Sequence, residues 1–158
     1  MIAPLIMASR LVLAAVVALT ATVAGAGGSS HHRNEAVALN QASLKFARNL
    51  IIEDHVVNDK RGEWATHQAA ARYETEFIRQ NGSEEYARWF LGIDASHSVD
   101  TKARYKFPFG DLSNVHRCGL LAVKARAHEY GYAEIEAAAT QLLALIESAR
   151  PRGQKRVD

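Results

Sequence analysis

The clearest hydrophobic periodicity lies near the two ends of the folded part of the chain. From Glu35 to Asp54 apolar residues recur every three or four positions, which predicts an amphipathic helix capped by Asn34. From Tyr132 to Ala149 a dense run of alanine, leucine and isoleucine predicts a second long helix, with Pro151 just beyond its end. Both apolar stripes are typical of helices that pack against a common core.

The middle of the chain predicts shorter helices. Ala69–Arg79 has helical spacing and is followed by Asn81-Gly82, a turn signal, after which Ser83 can cap a short third helix. A further helix is predicted to begin near Val115 and to end at Gly131, since glycine tolerates the left-handed conformation of a helix end.

One stretch alternates basic and aromatic residues and favours an extended strand. In Arg104–Phe109 the period of two puts the aromatic rings on one side, and Pro108 confines any strand to an edge. Trp89–Asp94 fits either the end of a helix or a strand, and we prefer a strand that pairs with this stretch. The predicted fold is therefore mainly α, about four helices with at most a two-stranded hairpin of 88–94 with 103–109, preceded by an apolar leader helix.

The first residues resemble an export signal. Leu11–Ala24 is apolar and uncharged, Arg10 precedes it, and Ala24-Gly25-Ala26 has the small-x-small form of a signal-peptidase site. A cleaved signal, an uncleaved anchor and a misassigned start all remain open. Export or membrane anchoring follows if the leader is real, and a cytoplasmic location otherwise. We divide the chain into a leader or anchor (1–26), a flexible spacer (27–33), one helical domain (34–149) and a basic disordered tail (150–158).

Composition and motifs do not predict an enzyme. The chain is 48% hydrophobic and 23% charged, as in ordinary globular domains, and its formal charge of +2 is too small to indicate a nucleic-acid partner. No GxxxxGK[ST], GxGxxG, HExxH, GxSxG or CxxC occurs. His116 and the single cysteine, Cys118, stand two positions apart, a spacing that separates side chains on a helix. We predict no catalytic residue, metal ligand, cofactor or small-molecule substrate, and the adjacent His31-His32 on the spacer changes none of this.

A basic and aromatic segment is the one candidate binding surface. Between Lys102 and Arg126 six basic residues accompany one acid, Asp111, and such a face can track phosphates and stack bases. Alternatively, the rings point into the core and the cations only solubilise the outside. The candidate binding residues are Arg104, Lys106, Arg117, Lys124 and Arg126, and the candidate structural residues are Tyr105, Phe107, Pro108, Phe109, Trp64 and Trp89.

The segment from Tyr86 to Ile146 resembles a small module of bacterial and prophage proteins that is often associated with phage head-assembly or prohead-protease regions. Its parts here are an aromatic run ending in an aspartate (89–94), the TKxxYKFPF motif (101–109), a basic helix start (115–117) and two alanine-rich helices. Leu50-Ile51 and Trp64 match its usual lead-in. The resemblance implies a non-enzymatic accessory or interaction role.

The sequence thus predicts a non-catalytic interaction module with an unknown protein partner. The alternative is nucleic-acid or polyanion binding through residues 102–126 and the basic C-terminal tail.

Overall fold

A computed structural model describes residues 37–149. This part of the chain contains five α-helices and five short strands. In chain order they are β1 (Val37–Leu39), α1 (Gln41–Ile52), β2 (Val56–Val57), α2 (Trp64–His67), α3 (Ala71–Ala87), β3 (Phe90–Asp94), β4 (Tyr105–Pro108), β5 (Val115–His116), α4 (Arg117–Glu129) and α5 (Ala133–Ala149), with one 3-10 turn at Lys102–Arg104 before β4.

The strands form two small sheets, so the predicted mainly helical fold with at most one hairpin is wrong. β3 is the central strand of an antiparallel sheet in the order β1-β3-β4, with Val37 opposite Asp94 and Phe90 opposite Pro108. β2 and β5 form a second, parallel pair, in which Val57 lies opposite His116. The described domain is therefore α+β, with the helices packed around strands that come from distant parts of the chain.

Asn40 explains why the first predicted helix starts late. The apolar residues before it belong to β1, and α1 begins at Gln41 because the Asn40 side chain accepts a hydrogen bond from Ser43 N at 3.2 Å. The same side chain donates to the carbonyls of Ala87 and Phe90 at 3.0 and 3.2 Å. The spacing of the apolar residues in 36–39 fits a strand as well as a helix, and only the pairing of β1 with β3 decides between these two structures.

Helix α3 consists of two helical pieces that meet at a kink at Gly82. This residue has φ 83° and ψ 166°, which are non-helical values that glycine adopts without steric cost. The sequence predicts a helix end and a new helix start at this point, and the helical backbone is interrupted there. The C-terminal piece carries Tyr86 into the core, where its ring packs against Phe90.

The rings of the basic and aromatic stretch do not share one side. Tyr105 and Phe109 are buried, with Tyr105 edge-on to Tyr86 and Phe109 beside Trp89. Phe107 is only half-buried, because its φ of 63° interrupts the extended alternation and turns its ring onto Tyr132. Positive φ is uncommon for a bulky side chain, so the period-two pattern could not predict it.

The two last helices complete the core. The buried residues of α5 are aliphatic: Ile135, Ala138, Ala139, Leu142 and Ile146. All of them except Ala138 belong to one cluster with buried residues of α4 and the sheet aromatics. No helix within residues 37–149 is long and apolar enough to cross a membrane. The proposed leader, spacer and tail lie outside the described residues.

We expect the two phenylalanines of this stretch to differ sharply in their effect on stability. Phe109→Ala removes a fully buried ring and should lower the free energy of unfolding by about 3–5 kcal/mol. Phe107→Ala is the matched control, and since its ring is half-exposed it should cost about 1 kcal/mol. Urea unfolding of the purified chain would measure both. Equal losses would contradict the burial described here.

Candidate functional site

Four side chains with metal-binding donor atoms meet in one place. Asp59 follows β2, His67 ends α2, His116 ends β5 and Cys118 lies in the first turn of α4. Their donor atoms all lie within 4.8 Å of one another. Asp59, His116 and Cys118 are buried, whereas the His67 side chain is 32% exposed. We call these four residues the donor cluster.

The backbone at the start of α4 brings His116 and Cys118 together. His116 has φ −101° and ψ 124°, so it is the extended end of β5 and not part of the helix. The sequence analysis placed both residues on one helix, where a spacing of two would separate them. The strand-to-helix junction removes that objection, because an extended residue directs its side chain differently from the turn that follows.

The Asp59 carboxylate lies at the centre of the cluster. Its Oδ1 accepts a hydrogen bond from Cys118 N at 2.6 Å, and its Oδ2 accepts one from Cys118 Sγ at 2.9 Å. Oδ2 also lies 2.7 Å from His67 Nδ1 and 2.6 Å from His116 Nδ1. Burial alone would raise the pKa of Asp59, but the hydrogen bonds from Cys118, His116 and His67 outweigh it and lower the pKa to about 2.

The Cys118 side chain is a neutral thiol in this environment. Burial, together with the hydrogen bond to the ionised Asp59, raises its pKa to about 12. A thiol in that state is a poor nucleophile, because the thiolate is the reactive form.

A second carboxylate lies on the far side of His116. Nε2 of His116 is 3.3 Å from Oδ2 of Asp111, an approach that lacks the alignment of a hydrogen bond. Asp111 is held in place because its Oδ1 accepts hydrogen bonds from the backbone N–H groups of Ser113 and Asn114 at 2.9 and 2.7 Å. The imidazole thus lies between two carboxylates, one at each ring nitrogen.

An open groove of about 710 Å³ lies next to α2. Its walls come from β1, α2, β3, β4, α4 and the connection into α5, and they are rich in aromatic rings. The lining residues are Val37, Trp64, Gln68, Asp94, Lys106, Phe107, Pro108, Ala122, Val123, Arg126, Tyr130 and Tyr132. We call this surface the aromatic groove. Helix α2 serves both features, because it gives His67 to the donor cluster and Trp64 to the groove.

The predicted structural tryptophans have different surroundings. Trp89 is buried against Phe46 and Phe109, in keeping with a core role. Trp64 is half-exposed, and its ring covers Gly119 so closely that a Cβ there would lie 2.9 Å from it. The same Cβ would lie 2.8 Å from the Phe109 carbonyl oxygen, so a residue larger than glycine at position 119 would displace Trp64, the backbone at Phe109 or both.

The predicted basic residues do not gather on one face, and four of the five contact another residue of the chain. Arg104 donates to the carbonyl of His97 at 2.6 Å, Lys106 lies 4.0 Å from Asp94, Arg117 lies 3.5 Å from Glu147 and Arg126 lies 3.3 Å from Glu129. Lys124 lines a separate shallow depression. Only Lys106 and Arg126 line the aromatic groove. None of these contacts tests polyanion binding through the whole segment, and such binding stays a prediction.

No family model, no curated protein and no solved structure matches the chain. The resemblance to a phage-associated module therefore stays a prediction, and the site has to be interpreted from its own geometry.

Sequence reasoning missed Asp59 and His67. Asp59 lies in a polar Asn-Asp-Lys-Arg-Gly run, a composition typical of a loop, and His67 belongs to no named motif. The available signal was two pairs, Asp59 with His67 and His116 with Cys118, each close in sequence and each on a different segment. A pairing of β2 with β5 would have brought them together, but two-residue strands leave no readable pattern.

We expect Asp59→Asn to destabilise the metal-free chain strongly at neutral pH. The amide cannot replace a carboxylate that accepts from three side chains and a backbone N–H, so the loss should be about 3–5 kcal/mol. The folded-state pKa of Asp59 is depressed, so its contribution is present above about pH 4 and is lost as the pH falls towards about 2. The difference between wild type and variant, measured by urea unfolding with chelator present, should shrink over that range.

Asp100→Asn is the control for this measurement, because Asp100 is exposed and should change the free energy of unfolding by less than about 0.5 kcal/mol. A difference between wild type and Asp59→Asn that is independent of pH from 7 to 2 would contradict the assignment of Asp59 as an ionised acceptor.

Proposed function

We propose that residues 37–149 form a non-catalytic interaction domain whose aromatic groove binds a segment of a partner protein. The observation that carries the proposal is the groove itself, an open surface of about 710 Å³ whose described lining comes from β1, α2, β3, β4, α4 and the connection into α5 and includes five aromatic or proline rings. Those rings are Trp64, Phe107, Pro108, Tyr130 and Tyr132.

Aromatic side chains in an open groove are suited to protein recognition. Tryptophan and tyrosine are enriched among the residues that dominate binding energy at interfaces. Tyr130 is 48% exposed, and Phe107 stands edge-on to Tyr132 with 5.5 Å between ring centroids. The positive φ of Phe107 is a strained conformation of the kind that persists where surrounding structure enforces it, often at binding sites.

The charges at the groove favour a partner segment with an acidic residue. Among the described lining residues, Lys106 and Arg126 are the cations and Asp94 is the only acid. The Arg126–Glu129 pair is exposed on both sides, at 63% and 58%, and exposed pairs of this kind contribute little to stability. A carboxylate of the partner can therefore replace Glu129 at small cost, while an apolar side chain contacts the rings.

The lining offers binding groups without the usual reactive ones. None of the described residues that line the groove is Ser, Thr, Cys or His, the side chains that most often act as nucleophile or general base. The nearby Cys118 thiol, whose pKa is raised to about 12, is protonated at neutral pH. These properties support recognition, as does the accessory role implied by the phage-module resemblance.

Selection of peptides from a displayed random library would test the groove. We expect wild-type protein to enrich peptides that combine an apolar or aromatic residue with Asp or Glu. The double variant Lys106→Glu/Arg126→Glu should enrich peptides with Lys or Arg instead, because the sign of the groove is reversed. Lys45→Glu/Arg48→Glu makes the same change in net charge on exposed α1 residues outside the groove and should select the same peptides as wild type.

Several outcomes would overturn the proposal. Selected peptides that bind wild type and the Tyr130→Ala variant equally well would place the binding surface elsewhere. Steeply salt-dependent binding to heparin or single-stranded DNA, with no peptide enriched, would favour the polyanion alternative. Turnover of a generic hydrolase substrate that is lost in Cys118→Ala would show catalysis.

A further inference from the structure

We propose that the donor cluster, Asp59, His67, His116 and Cys118, is a structural Zn²⁺ site. It goes beyond the interaction role proposed above, and it departs from the sequence analysis, which predicted no metal ligand. It rests on three independent features: the chemistry of the donors, the distances between them and the second carboxylate behind His116.

The donor set suits zinc. One thiolate, two imidazole nitrogens and one carboxylate oxygen are all ordinary zinc ligands, and four protein ligands are the usual number for a structural site. The soft sulfur and the two imidazoles disfavour Mg²⁺ and Ca²⁺, which select oxygen donors. Both histidines face the cluster with the same atom, Nδ1.

The distances leave a small adjustment to a tetrahedron. Zinc bonds of about 2.0–2.3 Å correspond to donor–donor separations of about 3.3–3.7 Å. The two Nδ1 atoms are 3.2 Å apart, and Cys118 Sγ lies 3.9 Å from His67 Nδ1. Oδ2 of Asp59 is too close to its neighbours, at 2.6–2.9 Å, because it accepts their hydrogen bonds. A withdrawal of this carboxylate by about 1 Å or less, together with a contraction of the widest donor separation, which is below 4.8 Å, gives a tetrahedron.

The surroundings of His116 supply the second argument. A neutral imidazole carries its proton on one nitrogen. With the proton on Nδ1, donated to Asp59, the unprotonated Nε2 lies 3.3 Å from the carboxylate of Asp111, which is repulsive. With zinc on Nδ1, the proton lies on Nε2, and its positive charge is favoured beside the same carboxylate. A carboxylate behind a metal-bound histidine is a common arrangement, and it fixes the tautomer and orients the ring.

Metal binding requires a defined proton balance. Cys118 loses the thiol proton that it now donates to Asp59, its S–H bond breaks, and the proton passes to the buffer as the sulfur bonds zinc. The two histidines bind as neutral imidazoles through Nδ1, so a proton that Nδ1 donates to Asp59 in the metal-free cluster moves to Nε2 of the same ring. Zinc thus takes the place of hydrogen atoms that hold the cluster together in its absence.

The position of the cluster assigns the metal a structural role. Four protein ligands leave no open position for substrate, unlike a catalytic zinc site. The cluster connects the loop after β2, helix α2 and the junction of β5 with α4. Helix α2 has four residues, none of them buried, so it has little packing of its own. Zinc bound to His67 would hold α2 in place, and with it Trp64, a wall of the aromatic groove.

The test uses the full chain, stripped with chelator and titrated with Co²⁺ and then Zn²⁺. Cys118 is the only cysteine of the sequence, so a thiolate-to-cobalt charge-transfer band can arise only from this site. We expect this band together with the visible bands of tetrahedral cobalt, and we expect mass spectrometry to show one metal per chain. Zn²⁺ should displace Co²⁺, and the midpoint of thermal unfolding should be higher with Zn²⁺ than with chelator. The absence of the charge-transfer band in folded wild-type protein would overturn the proposal.

Variants separate this site from adventitious binding. Cys118→Ser should lose the charge-transfer band, and Asp111→Asn should keep it while weakening Zn²⁺ binding about 10- to 100-fold. His97→Asn, an exposed histidine paired with Asp94, and His31→Ala/His32→Ala should both bind as wild type. Metal binding that survives Cys118→Ser but disappears with His31→Ala/His32→Ala would assign the metal to the spacer histidines and would also overturn the proposal.

The metal and groove proposals fail separately. Loss of peptide selection with an intact cobalt spectrum would contradict the interaction role alone. An absent cobalt spectrum with groove-dependent peptide binding would contradict the zinc site alone.

Discussion

A single buried carboxylate, that of Asp59, holds together the part of the fold in which both candidate sites lie. It accepts the backbone N–H of Cys118 at the start of α4, where the positive end of a helix dipole favours negative charge. It also accepts from side chains on α2, β5 and α4. Segments that are far apart in sequence and have little secondary structure between them therefore share one acceptor. Removing its charge would leave several donors unsatisfied at once.

The same geometry accounts for the position of the aromatic groove. Trp64 and His67 are the first and last residues of a four-residue helix, three positions apart and therefore on the same face, and neither is fully buried. His67 contacts Asp59 at one end of the helix, and Trp64 covers Gly119 at the other. A helix this short does not persist through its own hydrogen bonds. The shape of the groove is thus coupled to the donor cluster through α2, so that a change at His67 reaches a binding surface several residues away.

The sequence predicted long periodic elements better than short paired ones. The α5 helix and the interruption at Gly82 could be located because apolar spacing and glycine are local signals. The strand before Asn40 could not be told from a helix, because it forms by pairing with β3, some fifty residues later in the sequence. The donor cluster was missed for the same reason. His116 is the last residue of the two-residue strand β5, and Cys118 lies in the helix that follows it. The two side chains converge only because of this junction, and β5 in turn depends on its pairing with β2.

The outer position of β4 has a consequence for behaviour at high concentration. A strand at the border of a sheet presents unpaired backbone groups that can recruit the same strand from another molecule. Here Pro108 removes one N–H from that border, and the left-handed backbone of Phe107 bends the chain away from a flat ribbon. The two residues that shape the groove therefore also deny a neighbouring copy a template for fibrous assembly.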